Sequence, residues 1–254
     1  MGAGLRSATV RTILHLVLDA PERRNALSQD MLRGLAASLS GLDETVTAVV
    51  ISGTGAVFSA GADFGELTGT GEDITYDDEV AAATAAIVGS TRVVAAALEG
   101  PCIGAAADLA LACDVRIAGR GSYLQVPAVR LGLLYNPEAV ERLGRRLAQD
   151  TVRRLLLLGE RFPDEEALRA GLVSHVVPRG EAVQRAVDLL ANITVAELDA
   201  IAATKGLLNA LERRTYDPAQ WAARRRQLLD APARAAAMHR AKRTHTKNTS
   251  RGQR

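Results

Sequence analysis

Apolar positions along this chain switch repeatedly between strand-like runs and helical spacing. Residues 9–18 read as one strand with alternation at its centre, ended by Asp19-Ala20-Pro21. Met31, Leu32, Leu35, Leu39 and Leu42 then follow helical spacing behind Ser28, a good N-cap. Residues 48–51 give a second strand, so the order is already strand–helix–strand and favours an α/β architecture. The stretch 65–78 is polar, Gly/Thr-rich and acidic and reads as a loop, with an Ala-rich helix over 79–89. Residues 93–98 form an apolar run bounded by Gly100 and Pro101, and after Gly104 the composition becomes that of a buried helix. Short strands over 115–118 and 123–126 precede a helix that starts at the Asn136 cap with Pro137 in its first position and runs to about 147. Helices over 151–158 and from Pro163 to the closing Gly171 lead to a strand-like 172–177. From Glu181 onward the pattern is helical: 182–191, 195–211 and 217–229.

Composition narrows this picture. Of the 254 residues 48% are hydrophobic but only 3% aromatic, so the core is built from Ala, Val, Leu and Ile. A formal net charge of +2 neither favours nor excludes an acidic partner. Cys102 and Cys113 sit in apolar surroundings without metal-ligand spacing and read as buried thiols, not as a disulfide. No apolar run approaches the ~20 residues of a membrane span, and the first residues lack the apolar region of a secretory signal. The expectation is a cytoplasmic protein with no membrane partner. Residues 240–254 are basic and lack apolar periodicity, which predicts a disordered tail. Without aromatics among its charges, the tail gives no nucleic-acid signature.

Two strand–turn segments carry the chemistry. In Glu99-Gly100-Pro101-Cys102-Ile103-Gly104-Ala105-Ala106-Ala107-Asp108, a strand passes through small residues into a helix. Free backbone N–H groups at such a helix mouth face whatever lies before them. Asp108 lies one turn inside, and helical side chains lean toward the N-terminus, so its carboxylate tilts to the same mouth. Residues 49–63 have a similar build, an apolar strand running into Ser59-Ala60-Gly61-Ala62-Asp63.

With these segments the chain resembles the crotonase superfamily, the enoyl-CoA hydratase/isomerase fold. Residues 58–63 look like that family's adenine-pocket and first oxyanion-hole motif, and 100–114 like its second oxyanion-hole helix. Pro21-Glu22-Arg23-Arg24-Asn25-Ala26-Leu27 is similar to its N-terminal signature, and Leu158-Gly159-Glu160-Arg161 with Ala170-Gly171-Leu172-Val173 to its late landmarks. The resemblance implies a spiral of strand–strand–helix turns over 1–190 and, in the same domain, a helical trimerisation region over 191–239, ahead of the 240–254 tail. It implies a homotrimer or hexamer. It also implies a coenzyme A thioester as substrate, with adenine against backbone of Ala26 and of Ala60 to Asp63, and Arg24 near the phosphates. The oxyanion donors would be the N–H groups of Ala62 and Ala105, and Asp108 the acid/base.

The departures are as informative. The family's hydratases use two glutamates; here one position is Asp108, whose reach is shorter by ~1.5 Å. The other falls in Pro127-Ala128, and alanine carries no proton. Asn136 stands where some isomerases place a carboxylate, and helix capping explains it. Glu138 fits the first turn of that helix as a dipole-matched acid. Tyr135 replaces a usual proline. None of His15, His175, His239 and His245 belongs to a nucleophile or HExxH pattern, no metal site is expected, and Ser59 is not a nucleophile elbow. Two readings follow: an enzyme acting on an acyl-CoA by enolate stabilisation, by hydration or isomerisation, or a non-catalytic acyl-CoA-binding homologue.

Overall fold

The structure, a computed structural model, describes residues 4–251. It contains two compact units that meet between Val195 and Ala196. The first begins with an antiparallel hairpin, β1 (Leu5–Val10) and β2 (Ile13–Leu18). The single strand expected over 9–18 is therefore divided at Arg11-Thr12, where Arg11 takes φ 58°. Neither residue is a usual turn former, so the pattern conceals the reversal. α1 (Gln29–Ser40) starts as expected, with the Ser28 hydroxyl accepting the Met31 N–H at 3.2 Å. After β3 (Ala48–Gly53), α2 (Ile74–Gly89) begins inside the stretch expected as loop. Its first turn is fixed by Tyr76, buried, whose hydroxyl donates to the Leu27 carbonyl at 2.5 Å. That contact is tertiary and leaves no mark in local composition.

β4 (Val93–Leu98), α3 (Ala105–Ala112), β6 (Val115–Gly119) and β7 (Tyr123–Gln125) follow the predicted order, while β5 (Pro101–Ile103) forms in the stretch expected as a turn. Then come α4 (Pro137–Arg146), α5 (Gln149–Leu157), β8 (Phe162–Pro163), α6 (Asp164–Arg169), β9 (His175–Val177) and α7 (Ala182–Leu190). Of the strand expected over 172–177 only the last three residues pair, while Leu172 and Val173 are buried in the preceding turn.

The main sheet has the order β1-β2-β3-β4-β6-β9, parallel from β2 onward. Between its strands the chain makes shorter pairings off the main sheet. These are a parallel bridge Leu27–Ala62, another at Ser59–Cys102, and the parallel pairing of β5 with β7. Each turn of the chain thus contributes a long strand, a short one and a helix, stacked on the turn before. That is the crotonase spiral. One face of the sheet packs Val49, Ile51, Val94, Ala96 and Leu98 against α1, α2 and α3. The other packs Ala48, Val50, Ala95, Ala97 and Ile117 against Ala182, Ala186 and Leu190 of α7. The three alanines at the centre of β4 let helices approach on both sides.

Asn25 ties the first spiral turn to the next. It is buried at φ 55°, accepts the Ala20 N–H at 3.1 Å, and donates to the Thr54 and Val57 carbonyls at 2.9 and 2.7 Å.

The second unit holds α8 (Leu198–Glu212), α9 (Pro218–Asp230) and α10 (Pro232–Arg251). Asp217 caps α9 by accepting the Ala219 N–H at 2.9 Å. Trp221, the chain's single tryptophan, lies over Gly206 so closely that a Cβ there would meet the indole at 3.2 Å. α10 carries helical backbone into the basic segment expected to be disordered, as its Ala, Arg and Lys content allows. Residues 252–254 of that segment lie outside the described residues. Among the described residues no helix is long and apolar enough to cross a membrane.

Replacing Asn25 with Ala leaves the buried Ala20 N–H and the partly buried Thr54 and Val57 carbonyls without this partner and puts a non-Asn/Gly residue at positive φ. Chemical unfolding followed by far-UV circular dichroism is expected to show a loss of about 2–4 kcal/mol.

Candidate active site

The site grows from the way two glycine-bearing turns meet. Gly104 has φ 56° and ψ −123°, a backbone state open to glycine, and serves as the N-cap of α3. Its N–H donates to the Gln125 carbonyl at 2.8 Å, and its carbonyl accepts from Asp108 N–H at 3.2 Å and Tyr135 hydroxyl at 3.1 Å. The N–H of Ala105, next in the chain, has no acceptor among the described residues. Gly61 comes against the same turn. A Cβ on it would lie 2.6 Å from the Ile103 carbonyl oxygen and 3.8 Å from the Ala105 nitrogen. The Leu27–Ala62 bridge uses the carbonyl of Gly61 and the N–H of Asp63, at 2.8 and 3.2 Å, so it leaves the Ala62 N–H unused. The two N–H groups singled out in the sequence therefore sit on adjoining turns, both without an acceptor among the described residues.

Asp108, 3% exposed, stands one turn into α3. One carboxylate oxygen forms an ion pair with Arg142 on α4, and the other accepts from the Thr84 hydroxyl of α2 at a long 3.5 Å. Burial pushes its pKa above the ordinary carboxylate value, with Arg142 and then Thr84 pulling it back. Burial likewise raises the Tyr135 phenol well above its usual value, chiefly through desolvation and then the nearby Asp108 charge, so it stays a hydrogen-bond donor.

Arg142 and Thr84 escaped the sequence reading. Arg142 could have been found, since it lies three residues after buried Ala139 and beside buried Leu143, on the inward stripe of α4. Thr84 could not, because only the packing of α2 on α3 brings it near.

The positions considered as substitutes for the second glutamate lie elsewhere or do other work. Ala128 opens a short 3-10 turn (Ala128–Leu131) and packs against the core. Asn136 caps α4, accepting from the Glu138 and Ala139 N–H groups at 2.9 and 3.2 Å, and Glu138 is exposed. His15 bonds Ser52 at 2.8 Å on the α7 side of the sheet, away from α3. Ser59 holds the Gly61 N–H at 3.1 Å, a turn-shaping role. No cluster of metal-ligating side chains occurs among the described residues.

The residues expected to meet coenzyme A come together on one loop pair. Ala60 N–H donates to the Arg24 carbonyl at 3.0 Å, Leu27 N–H to the Gly61 carbonyl at 2.8 Å, and Asp63 N–H to the Leu27 carbonyl at 3.2 Å. Ala26 is buried between them, and the Arg24 side chain is exposed beside φ 55° backbone. Arg23, its neighbour, is not simply solvated: its guanidinium holds Asp63 at 2.5 Å, while Asp63 also caps the turn at Gly65 at 3.0 Å. Asp63 thus contributes backbone to this surface and uses its carboxylate internally.

Two backbone N–H groups without an acceptor among the described residues thus adjoin a helix that carries a buried carboxylate. The chain belongs to the enoyl-CoA hydratase/isomerase family, whose model matches residues 8–244. It is 31% identical over 179 residues to the 2,3-dehydroadipyl-CoA hydratase of Escherichia coli, covering 70% of each chain. Among solved structures it is similar to Pseudomonas aeruginosa DspI, with TM-score 0.83, 30% identity and 95% of each chain covered. It is also similar to a Thermobifida fusca protein assigned as an enoyl-CoA hydratase and crystallised with CoA, with TM-score 0.77, 27% identity and 95% of each chain covered.

Gly61→Ala forces a methyl group between the two turns at φ 95° and should separate the donors. Acyl-CoA turnover is expected to fall by about 10²-fold or more, measured as kcat at saturating substrate.

Proposed function

We propose that this acyl-CoA thioester enzyme moves a double bond along the acyl chain, with Ala62 and Ala105 holding the thioester oxygen and Asp108 carrying the proton. The observation that bears the reading is the buried Asp108 carboxylate on the same helix mouth as the Ala105 N–H. The carbonyl oxygen of a bound thioester would accept from both backbone donors and gain charge as a C–H bond at the α-carbon breaks. The proton passes to Asp108, and the electron pair delocalises onto the oxygen as an enolate. Returning the proton at the γ-carbon completes the shift. Such preorganised donors are commonly the largest catalytic term, with each worth ~10²–10³ in rate. Hydration would require a second proton carrier for water, and Ala128 supplies none, which favours isomerisation. The exposed Arg24 guanidinium suits phosphate oxygens of coenzyme A, and backbone of Ala26 and of residues 60–63 suits its adenine.

A second reading is an acyl-CoA-binding protein without turnover. One observation favours it: both Asp108 oxygens are engaged, by Arg142 and by Thr84. In either case we propose a homotrimer or hexamer assembled through the second unit, where Leu208, Leu211, Tyr216 and Leu229 are exposed.

Turnover of crotonyl-CoA and of a 3-enoyl-CoA, with Asp108→Asn alongside, tests these readings. The 3-enoyl-CoA is expected to be the better substrate, and Asp108→Asn to lose ~10²–10⁴-fold in kcat. Because Asp108 must be ionised to act as a base and its pKa is raised, activity should fall on acidification at a pH above the ordinary carboxylate range. Acyl-CoA binding without Asp108-dependent turnover would replace the enzyme reading with the binding one.

A further inference from the structure

Three arginines are drawn into the first unit around α3, and they are used differently. Arg116 donates through Nε to the Leu172 carbonyl and through a terminal nitrogen to the Cys113 carbonyl, each at 2.7 Å. Arg146 donates to the Leu111 carbonyl at 3.1 Å. Both satisfy backbone oxygens, as structural arginines do. Arg142 instead gives a terminal nitrogen to the Asp108 carboxylate, and its Nε is buried with no acceptor. Its side chain is 12% exposed and that of Asp108 4%. A buried donor left unmet costs stability, so the guanidinium is placed for Asp108 and not for the hydrogen bonding of the surrounding backbone.

The groups facing Asp108 come from each element packed on it. α2 offers the neutral Thr84 hydroxyl, with Asp77 two turns earlier on the same helix. The segment before α4 offers Tyr135, whose phenol burial keeps neutral. Arg142 is the cation among these groups. An unpaired carboxylate in such a place would take up a proton and become an acid, useless for abstracting one.

We infer that Arg142 is the positioning residue of this site, orienting Asp108 toward the α3 mouth and supplying the countercharge that keeps it a base. This rests on the acid/base role proposed for Asp108. The charge balance of the step makes the arrangement useful. Before transfer, the Asp108 carboxylate is paired with Arg142 and the thioester is neutral. As the α C–H bond breaks, its proton joins a carboxylate oxygen and its electron pair moves to the thioester oxygen. Asp108 is then neutral, and the negative charge has moved to the thioester oxygen held by the two backbone N–H groups. Site charge remains zero throughout, so no net charge is created in a low-dielectric interior.

The test is a set of variants, Arg142→Met, Arg142→Lys, Asp108→Asn and Arg142→Met/Asp108→Asn, studied as the full chain. Asp108 ionisation is followed by carboxyl-carbon NMR on aspartate-labelled protein, which needs no substrate, and kcat and KM are followed against pH. Arg142→Met is expected to move the Asp108 titration and the acid limb of kcat upward by about one to three pH units, with KM within about twofold of the parent. Arg142→Lys should fall between, which keeps the test available if the methionine variant does not fold. In the Asp108→Asn background, Arg142→Met should change kcat less than about twofold, since its effect passes through Asp108. An unchanged titration and acid limb in both Arg142 variants would reduce the pair to a structural contact and overturn the inference, leaving the Asp108 role intact. Full turnover by Asp108→Asn would overturn that role, and the inference with it.

Discussion

A helix whose first turn is buried must do something with its leading N–H groups, and α3 is the case on which this structure turns. Its cap, Gly104, adopts a backbone state reserved for glycine, gives its own N–H to Gln125, and offers its carbonyl to Tyr135 and Asp108. The neighbouring Ala105 N–H is left over. Because Gly61 lacks a side chain, the turn carrying Ala62 can close on the same point. The stacked short pairings, Leu27–Ala62, Ser59–Cys102 and β5 with β7, set the heights at which these turns arrive. A pair of backbone donors without acceptors among the described residues is in this way a by-product of how one spiral turn rests on another.

Much of this was legible in the chain. Helix starts marked by a capping side chain, Ser28 and Asn136, were found to the residue, because capping is a local contest between one side chain and the next few N–H groups. The Ala-rich helix after Gly104 and the strand before it could also be read, since no other arrangement buries so apolar a run. Elements set by distant partners were not. The Arg11 reversal is imposed by pairing of β1 with β2, and the early start of α2 by Tyr76 reaching Leu27. In the site the same division holds. The placement of Asp108 on the first turn of α3 could be read from spacing, and Arg142 was marked by the inward stripe of α4, whereas Thr84 enters only through the packing of α2 on α3.

The pairing of Asp108 with Arg142 also bears on how a shortened acid could be accommodated. Aspartate reaches less far than glutamate, and a side chain with fewer rotatable bonds is easier to hold in one place. With Thr84 on one oxygen and Arg142 on the other, its rotamer is fixed from two helices. What is lost in reach is matched by a gain in order, which the proposed proton transfer at a defined carbon would use.

The single tryptophan has a practical bearing on what light can report from this molecule. Trp221 lies in the second unit, stacked over Gly206 between α8 and α9. Its emission therefore reports on the packing of α9 against α8. Three of the four tyrosines, Tyr76, Tyr123 and Tyr135, lie in the first unit and the fourth, Tyr216, in the second. Tryptophan emission, excited beyond the tyrosine band, thus reports from the second unit, and tyrosine signal mainly from the first. Heating curves recorded on the two signals would coincide if the units melt as one cooperative body, and would part if the first unit outlives the second.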